Sequence, residues 1–393
     1  MRVLSLLLAL ALAACSSAPQ VFPPTPSPTH EPNVVNVSVL LDLSGPRSPS
    51  GSPQRQAMQL WLDQAGSRPT PHIQLRVKFV DVAGSDAKAL LELRRAVVED
   101  HADAIILGAA IPLDAEFTKA AEVASVPVLV TLPMADPATQ SGGRWVFALA
   151  PSPDMVERQI VLDIVDHGVP APVLLVTDES RAAGAERIAF LAALDRMQLV
   201  QPTAVTLAST DSASRIRAGA AVAKSVVLIG PATVYGDTVR AMPVTATSPR
   251  VYLSWLTETA DVTNLREANA LVAWPGSRNL APLSAPQRPG LRASFVQAFT
   301  DRHGAPSTLA ATAYDALVLL DAAAAITPSP FPAERLRLSL EAVTVDGAAT
   351  LYTFTGARHT GFPPGDVAIL RWDAQRATPF LAPLVAPPVR DTR

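Results

Sequence analysis

Apolar residues along this chain follow two alternating rhythms from Val34 onward, short β-rich runs and longer stretches with helical spacing. Val35–Leu41 reads as a strand that ends in the loop Asp42-Leu43-Ser44-Gly45-Pro46. Gln54–Ala65 then places Ala57, Met58, Leu60, Trp61 and Ala65 at helical spacing. Ile73–Val80 alternates as a strand, with Ile73, Leu75, Val77 and Phe79 on one face, and Asp86–Asp100 is an amphipathic helix burying Leu90, Leu93, Val97 and Val98. Ala104–Leu107 and Val126–Val130 are wholly apolar, the pattern of parallel strands covered on both faces, and a helix at Leu113–Ala124 joins them. This strand–helix alternation predicts a doubly wound lobe.

A second series repeats the rhythm. Strands are predicted at Val173–Val176, Val205–Leu207, Val226–Ile229 and Val251–Ser254, with helices at Arg181–Arg196, Ser212–Ala223 and Ala232–Met242. The C-terminal third offers helices at Gly290–Arg302, Leu309–Ile326 and Pro332–Val343 and strands near Leu351–Phe354 and Val367–Trp372, too little for a third lobe and best placed by wrapping back onto both. The expected organisation is therefore α/β, with lobe 1 at 34–150, lobe 2 at 151–275, a return to lobe 1 at 276–327, a return to lobe 2 at 328–375 and a tail at 376–393.

Composition adds a location. Of 393 residues 49% are apolar, enough for a substantial core, and a net charge of -3 argues against a nucleic-acid partner, which would favour a basic face. The single cysteine, Cys15, follows Arg2, the apolar run Val3–Leu12 and two alanines. That segment has the anatomy of a secretory signal, and Leu12-Ala13-Ala14-Cys15 resembles the lipobox of bacterial lipoproteins. The resemblance implies a signal at 1–14 and a diacylated thiol at Cys15, so an extracytoplasmic protein held to a bacterial membrane by lipid. Residues 16–33 carry Pro19, Pro23, Pro24, Pro26, Pro28 and Pro32, an extended tether that cannot bury a core. No later apolar stretch is read as reaching the roughly 18 residues of a membrane span.

Five local patterns, in order, are similar to the type I periplasmic solute-binding proteins of the Leu/Ile/Val-binding-like group. They are Val37–Pro46 with its Leu43-Ser44-Gly45-Pro46 loop, Ala102–Gly108, Val126-Pro127-Val128, Ala313-Tyr314-Asp315-Ala316 and Tyr352–Gly356. The resemblance implies two Rossmann-like lobes joined by a three-segment hinge, a small-molecule ligand in the cleft, an ABC permease and ATPase as partners, a monomer, no cofactor and no enzymatic activity. The cleft loops would then include Ser44, Ala109, Ile111, Pro112, Ala135 and Asp136 on the first lobe, and Asp178, Tyr235, Trp255 and Glu258 on the second.

Departures from the family pattern shape the expected ligand. Ile111 or Pro112 stands where the family has a serine for an α-carboxylate, and Ala135 or Asp136 replaces a threonine. A carboxylate at Asp136 would repel an anionic group. Ala183 replaces the aromatic before Gly184, and the acidic position for the ligand ammonium falls near Trp255–Leu256, with Glu258 displaced. A small polar or amphipathic ligand other than a standard branched-chain amino acid is expected. The alternative on the same fold is an envelope regulator, such as a cell-wall synthase activator.

Other candidates for chemistry are weak. Ser85-Asp86-Ala87-Lys88 matches a serine acyl-transfer pattern but precedes a helix, where Ser85 or Asp86 serves as a cap. The six histidines show no metal-ligand spacing and are expected on the surface or in loops. Trp61, Trp145 and Trp274 are expected in the core, and Tyr314 near the cleft rim.

Overall fold

The chain is described here by a computed structural model over residues 31–45, 47–67, 73–166, 172–178, 180–207, 212–230, 249–257, 272–280, 291–373 and 378–381. The predicted signal, Cys15, the predicted helix Ala232–Met242, Tyr235, Glu258 and nearly all of the tail lie outside the described residues.

The first lobe is built from β1 (Val34–Leu41), α1 (Ser48–Gly66), β2 (Gln74–Asp81), α2 (Asp86–Val98), β3 (Ala104–Leu107), α3 (Ala115–Ala124), β4 (Val128–Val130) and β5 (Val146–Ala148). Its five strands run parallel in the order β2-β1-β3-β4-β5, with the chain reversing direction across the sheet at β1. Strands β3 and β4 are buried at every residue, as wholly apolar runs in a sheet covered on both faces must be. Ser85 caps α2 by accepting a hydrogen bond from the Lys88 N–H, which is the capping role rather than the catalytic one. Helix α1 lies so close to the end of β1 that a Cβ on Gly51 would sit 2.0 Å from the Asp42 carbonyl oxygen, so only glycine allows that approach.

The second lobe contains α4 (Pro153–Asp166), β6 (Val173–Thr177), α5 (Arg181–Arg196), β7 (Thr203–Thr206), α6 (Ser212–Val222), β8 (Ser225–Ile229), β9 (Arg250–Leu253) and β10 (Val272–Ser277). The chain then forms α7 (Leu291–His303), α8 (Thr308–Ile326), α9 (Ala333–Ala342), the hairpin β11 (Thr344–Asp346) and β12 (Leu351–Thr353), and finally β13 (Val367–Asp373) and β14 (Thr378–Leu381). The second sheet has the order β14-β13-β10-β9-β8-β6-β7, parallel from β7 to β10 and antiparallel at β13 and β14.

The structure revises three expectations about packing. Residues 328–375 do not return to the second lobe as a block. Leu336 and Leu340 of α9 and Tyr352, Phe354 and Phe362 join the core of the first lobe, Phe354 meets Phe147 edge-on, and Thr360 bridges Ala148 at the sheet edge. Only β13 and β14 complete the second sheet. Val98 is 75% exposed, because the inner face of α2 is formed by Ala89, Leu93 and Ala96 instead. Helix α8 is long and apolar enough to cross a membrane, contrary to the sequence reading, yet it is a core helix, buried between α1 and α9.

Trp61, Trp145 and Trp274 are all buried in core positions. Tyr314 is not at a cleft rim; its ring meets Phe295 and its hydroxyl donates to Gln64 Oε1 at 2.6 Å, fastening α8 to α1. Asp315, next in sequence, is fully buried and accepts the Ala348 and Ala349 N–H groups at 2.6 and 2.8 Å. The carbonyl of Ala349 in turn accepts from the Ser277 hydroxyl and from Asn279 Nδ2, so one carboxylate organises the turn that holds the second crossing between lobes.

Candidate functional site

The loops at the carboxyl ends of β3, β4 and β6 meet between the lobes. Their positions on the first lobe are fixed from below by two buried polar side chains. Asp42, at the end of β1, accepts the Gly84 N–H at 2.7 Å through Oδ1 and the Ala110 N–H at 3.0 Å through Oδ2. Gln54 of α1 donates to the Gly108 carbonyl at 2.8 Å and accepts the Thr131 hydroxyl at 2.6 Å, tying the loop after β3 to the loop after β4. Both side chains are fully buried, so each bond is made where water cannot substitute for it.

Between these loops and the second lobe lies a cavity of about 860 Å³. The first lobe contributes Ile111–Asp114 and Leu132–Asp136; the second contributes Ser152–Asp154, the first half of α5 and Leu256. The first-lobe wall is mainly apolar, with Ile111, Leu132 and Met134 buried. Helices α3 and α5 both begin at this cavity, capped by Asp114, which accepts the Glu116 N–H at 3.0 Å, and by Ser180, which accepts the Ala183 N–H at 3.3 Å. Such strand ends and helix starts are where doubly wound sheets place ligands. Arg181 and Asp114 join the lobes across this space with an ion pair at 2.7 Å. Both side chains are largely exposed, and such pairs contribute at most about 1 kcal/mol.

Of the sequence-predicted residues, Ile111, Pro112, Ala135 and Asp136 line the cavity. Asp136 also has a structural task, since its Oδ1 accepts the Ala138 N–H at 3.1 Å and the His359 N–H at 2.9 Å. Ala109 is buried beneath the loop. Ser44 does not reach the cavity, because its hydroxyl donates to Asp81 Oδ2 at 2.5 Å. Asp178 shapes the entry to α5 by accepting the Ser180 hydroxyl and N–H at 2.6 and 3.0 Å. Its carboxyl presses on Gly230, where φ is +135° and a Cβ would lie 2.7 Å away. Trp255 is fully buried and meets Phe362 edge-on at 6.0 Å, so it packs where the chain crosses between lobes rather than facing a ligand.

Sequence reasoning missed two buried features. His359 is 1% exposed rather than a surface residue; its ring stacks on Phe147 at 4.4 Å, with Nδ1 2.8 Å from the Val146 carbonyl and Nε2 3.2 Å from Glu341 Oε1. Glu157 of α4 and Glu186 of α5 are both buried in the second lobe, and Glu186 lines the cavity. Burial pushes the Glu186 carboxyl up to about 7, with the Asp178 charge acting in the same direction and the Ser254 hydroxyl and Leu256 N–H opposing it. Burial, then the neighbouring Glu186, pushes Glu157 well above the usual carboxylate range. Among the described residues no group of three or more His, Cys, Asp or Glu is placed to hold a metal ion.

Comparison with known proteins agrees with this architecture. The sequence model of a periplasmic binding protein family matches residues 34–377. An extracellular ligand-binding receptor from Rhodopseudomonas palustris HaA2 superposes with a TM-score of 0.73 at 17% identity, covering 88% of this chain and 99% of that one. The leucine-binding protein LivK of Thermotoga maritima MSB8 gives 0.70 at 16% identity, covering 90% and 99%. An R. palustris ABC-transporter solute-binding protein in complex with benzoate gives 0.71 at 16% identity, covering 90% and 97%. No curated protein matches the chain. At these identities the neighbours establish the fold, and the family model, matched over both lobes and all the crossings between them, establishes membership: this chain belongs to the periplasmic binding proteins of type I.

Proposed function

We propose that this protein is a lipid-anchored extracytoplasmic receptor that captures a small polar or amphipathic solute between its lobes and delivers it to an ABC permease. The observation that carries this reading is the cavity of about 860 Å³ walled by both lobes at the carboxyl ends of their strands. A ligand touching both walls is bound more tightly by the closed arrangement than by an open one, and that difference is what would drive closure. The apolar first-lobe wall around Ile111, Leu132 and Met134, and the absence of hydroxyls at Ile111, Pro112 and Ala135, support a ligand other than a standard branched-chain amino acid.

A thermal-shift screen of the full-length chain in detergent against a metabolite library tests this. A true ligand at 100 times its dissociation constant is expected to stabilise the protein by about 2.7 kcal/mol, a shift of several degrees. A library that leaves the melting temperature unchanged would move the reading to an envelope regulator. The anchor has its own test. Cys15→Ser is expected to leave ligand binding intact and to release the protein from membranes, and a variant that stays membrane-bound would overturn the lipid assignment.

A further inference from the structure

Two glutamates interrupt surfaces that are otherwise built for a core. Glu157 sits on the inner stripe of α4 with Ile160, Val161 and Ile164, is fully buried, and neither of its carboxylate oxygens has a hydrogen-bond partner. Glu186 lies against it from α5, 1% exposed at the cavity surface. Leaving a carboxylate buried without donors costs several kcal/mol, so an arrangement of this kind requires a reason.

Among the described residues the surroundings supply no balancing cation. From the described residues after β9 come the Ser254 hydroxyl and the Leu256 N–H, which face Glu186 outside ordinary hydrogen-bond geometry, and from the end of β6 comes another acid, Asp178. Arg250 and Arg371 gather around Asp163, further along α4. Of the arginines lining the cavity, Arg181 is engaged by Asp114, and Arg187 points from the exposed face of α5. The remaining acids on the lining are Asp136 and Asp154, the latter paired with Arg196.

We propose that Glu186, backed by Glu157, is the subsite for an organic ammonium or amidinium group, on a ligand whose apolar body rests against Ile111, Leu132 and Met134. This rests on the receptor reading above and names the class of its ligand. The cation supplies the donors that the buried Glu186 carboxylate lacks. Because burial holds a proton on the pair, binding expels it. With Glu186 pushed up to about 7, affinity for a permanently charged amine is expected to rise about tenfold between pH 6 and pH 8.

The test uses the full-length chain in detergent and calorimetric titration with phenethylamine, agmatine and 1,5-diaminopentane, beside 2-phenylethanol and phenylacetate as neutral and anionic counterparts. The expected result is binding of at least one amine, no binding of the counterparts, and release of about one proton, read by repeating the titration in two buffers of different ionisation heat. Glu186→Gln is expected to weaken the amine at least tenfold and to abolish the proton release; Glu157→Gln reports on the same pair should the first variant fail to fold. Amine binding without proton release, or unchanged in both variants, would overturn the subsite. So would failure of every amine, while the metabolite screen independently decides whether the protein is a receptor at all.

Discussion

Replacing Asp315 by alanine is expected to lower the stability of the protein by about 2–5 kcal/mol. The carboxylate accepts the Ala348 and Ala349 N–H groups, and each of these buried donors left without a partner costs about 1–3 kcal/mol. Relaxation is restricted, because the turn is packed onto the carboxyl: a Cβ on Gly347 would lie 2.5 Å from it. The site is fully buried, away from bulk water that could take over the lost acceptor. The damage extends beyond α8, since the same turn presents the Ala349 carbonyl to Ser277 and Asn279, and Thr350 beside it donates to Asp366 at 2.6 Å just before β13. Two of the chain crossings between lobes thus depend on one side chain. Asp315→Asn, which keeps one oxygen acceptor, is expected to lose about half as much. Urea unfolding at constant m-value measures both. An alanine variant within 0.5 kcal/mol of the wild type, a bound of about the size of an ordinary surface substitution, would sink the account.

Much of this architecture was legible in the sequence because several elements owe their form to local causes. Ala104–Leu107 is a strand in both readings since a run of four apolar residues fits only an interior parallel strand in that context. Arg181–Arg196 has the same bounds in both, set by Ser180 as cap. Helix α4 escaped notice although Val156, Ile160, Val161 and Ile164 carry the helical period, and Glu157 within that stripe was a visible anomaly. The placement of 328–362 and the burial of His359 were not legible. They depend on Phe147, Val146 and Glu341, and no local pattern announces a histidine whose partner is 213 positions away. At the site, the loops after β3 and β4 were identifiable from strand endings, whereas Ser44 and Trp255 were assigned to a cleft that tertiary contacts with Asp81 and Phe362 take them out of.

The glutamate pair makes a second prediction of comparable size, and its sign follows from where the proton is held. In the unfolded chain a glutamate titrates near 4.5, and in the folded protein Glu186 is pushed up to about 7 by burial. The folded state therefore binds the proton more tightly. The resulting stabilisation is complete below the unfolded value and is lost as pH rises through the folded one. A shift of this size corresponds to about 3 kcal/mol, and Glu157, pushed up by burial and by Glu186, acts in the same direction. Asp315, also pushed up to about 7 by burial, adds a parallel slope, so the contribution of the pair is read as a difference between proteins. The carboxylates held below their usual range, Asp63, Asp81 and Glu334, are on the surface and finish titrating under the window considered. The unliganded protein is expected to lose stability between pH 5 and pH 8. The Glu157→Gln, Glu186→Gln double variant is expected to lose about 3 kcal/mol less over that interval, measured by urea unfolding at each pH. Equal slopes in the two proteins would mean that the pair is charged or solvated throughout. An ammonium ligand should offset the Glu186 share of that slope in the wild type by holding its carboxylate ionised, so stability and binding at this site respond to pH in opposite directions.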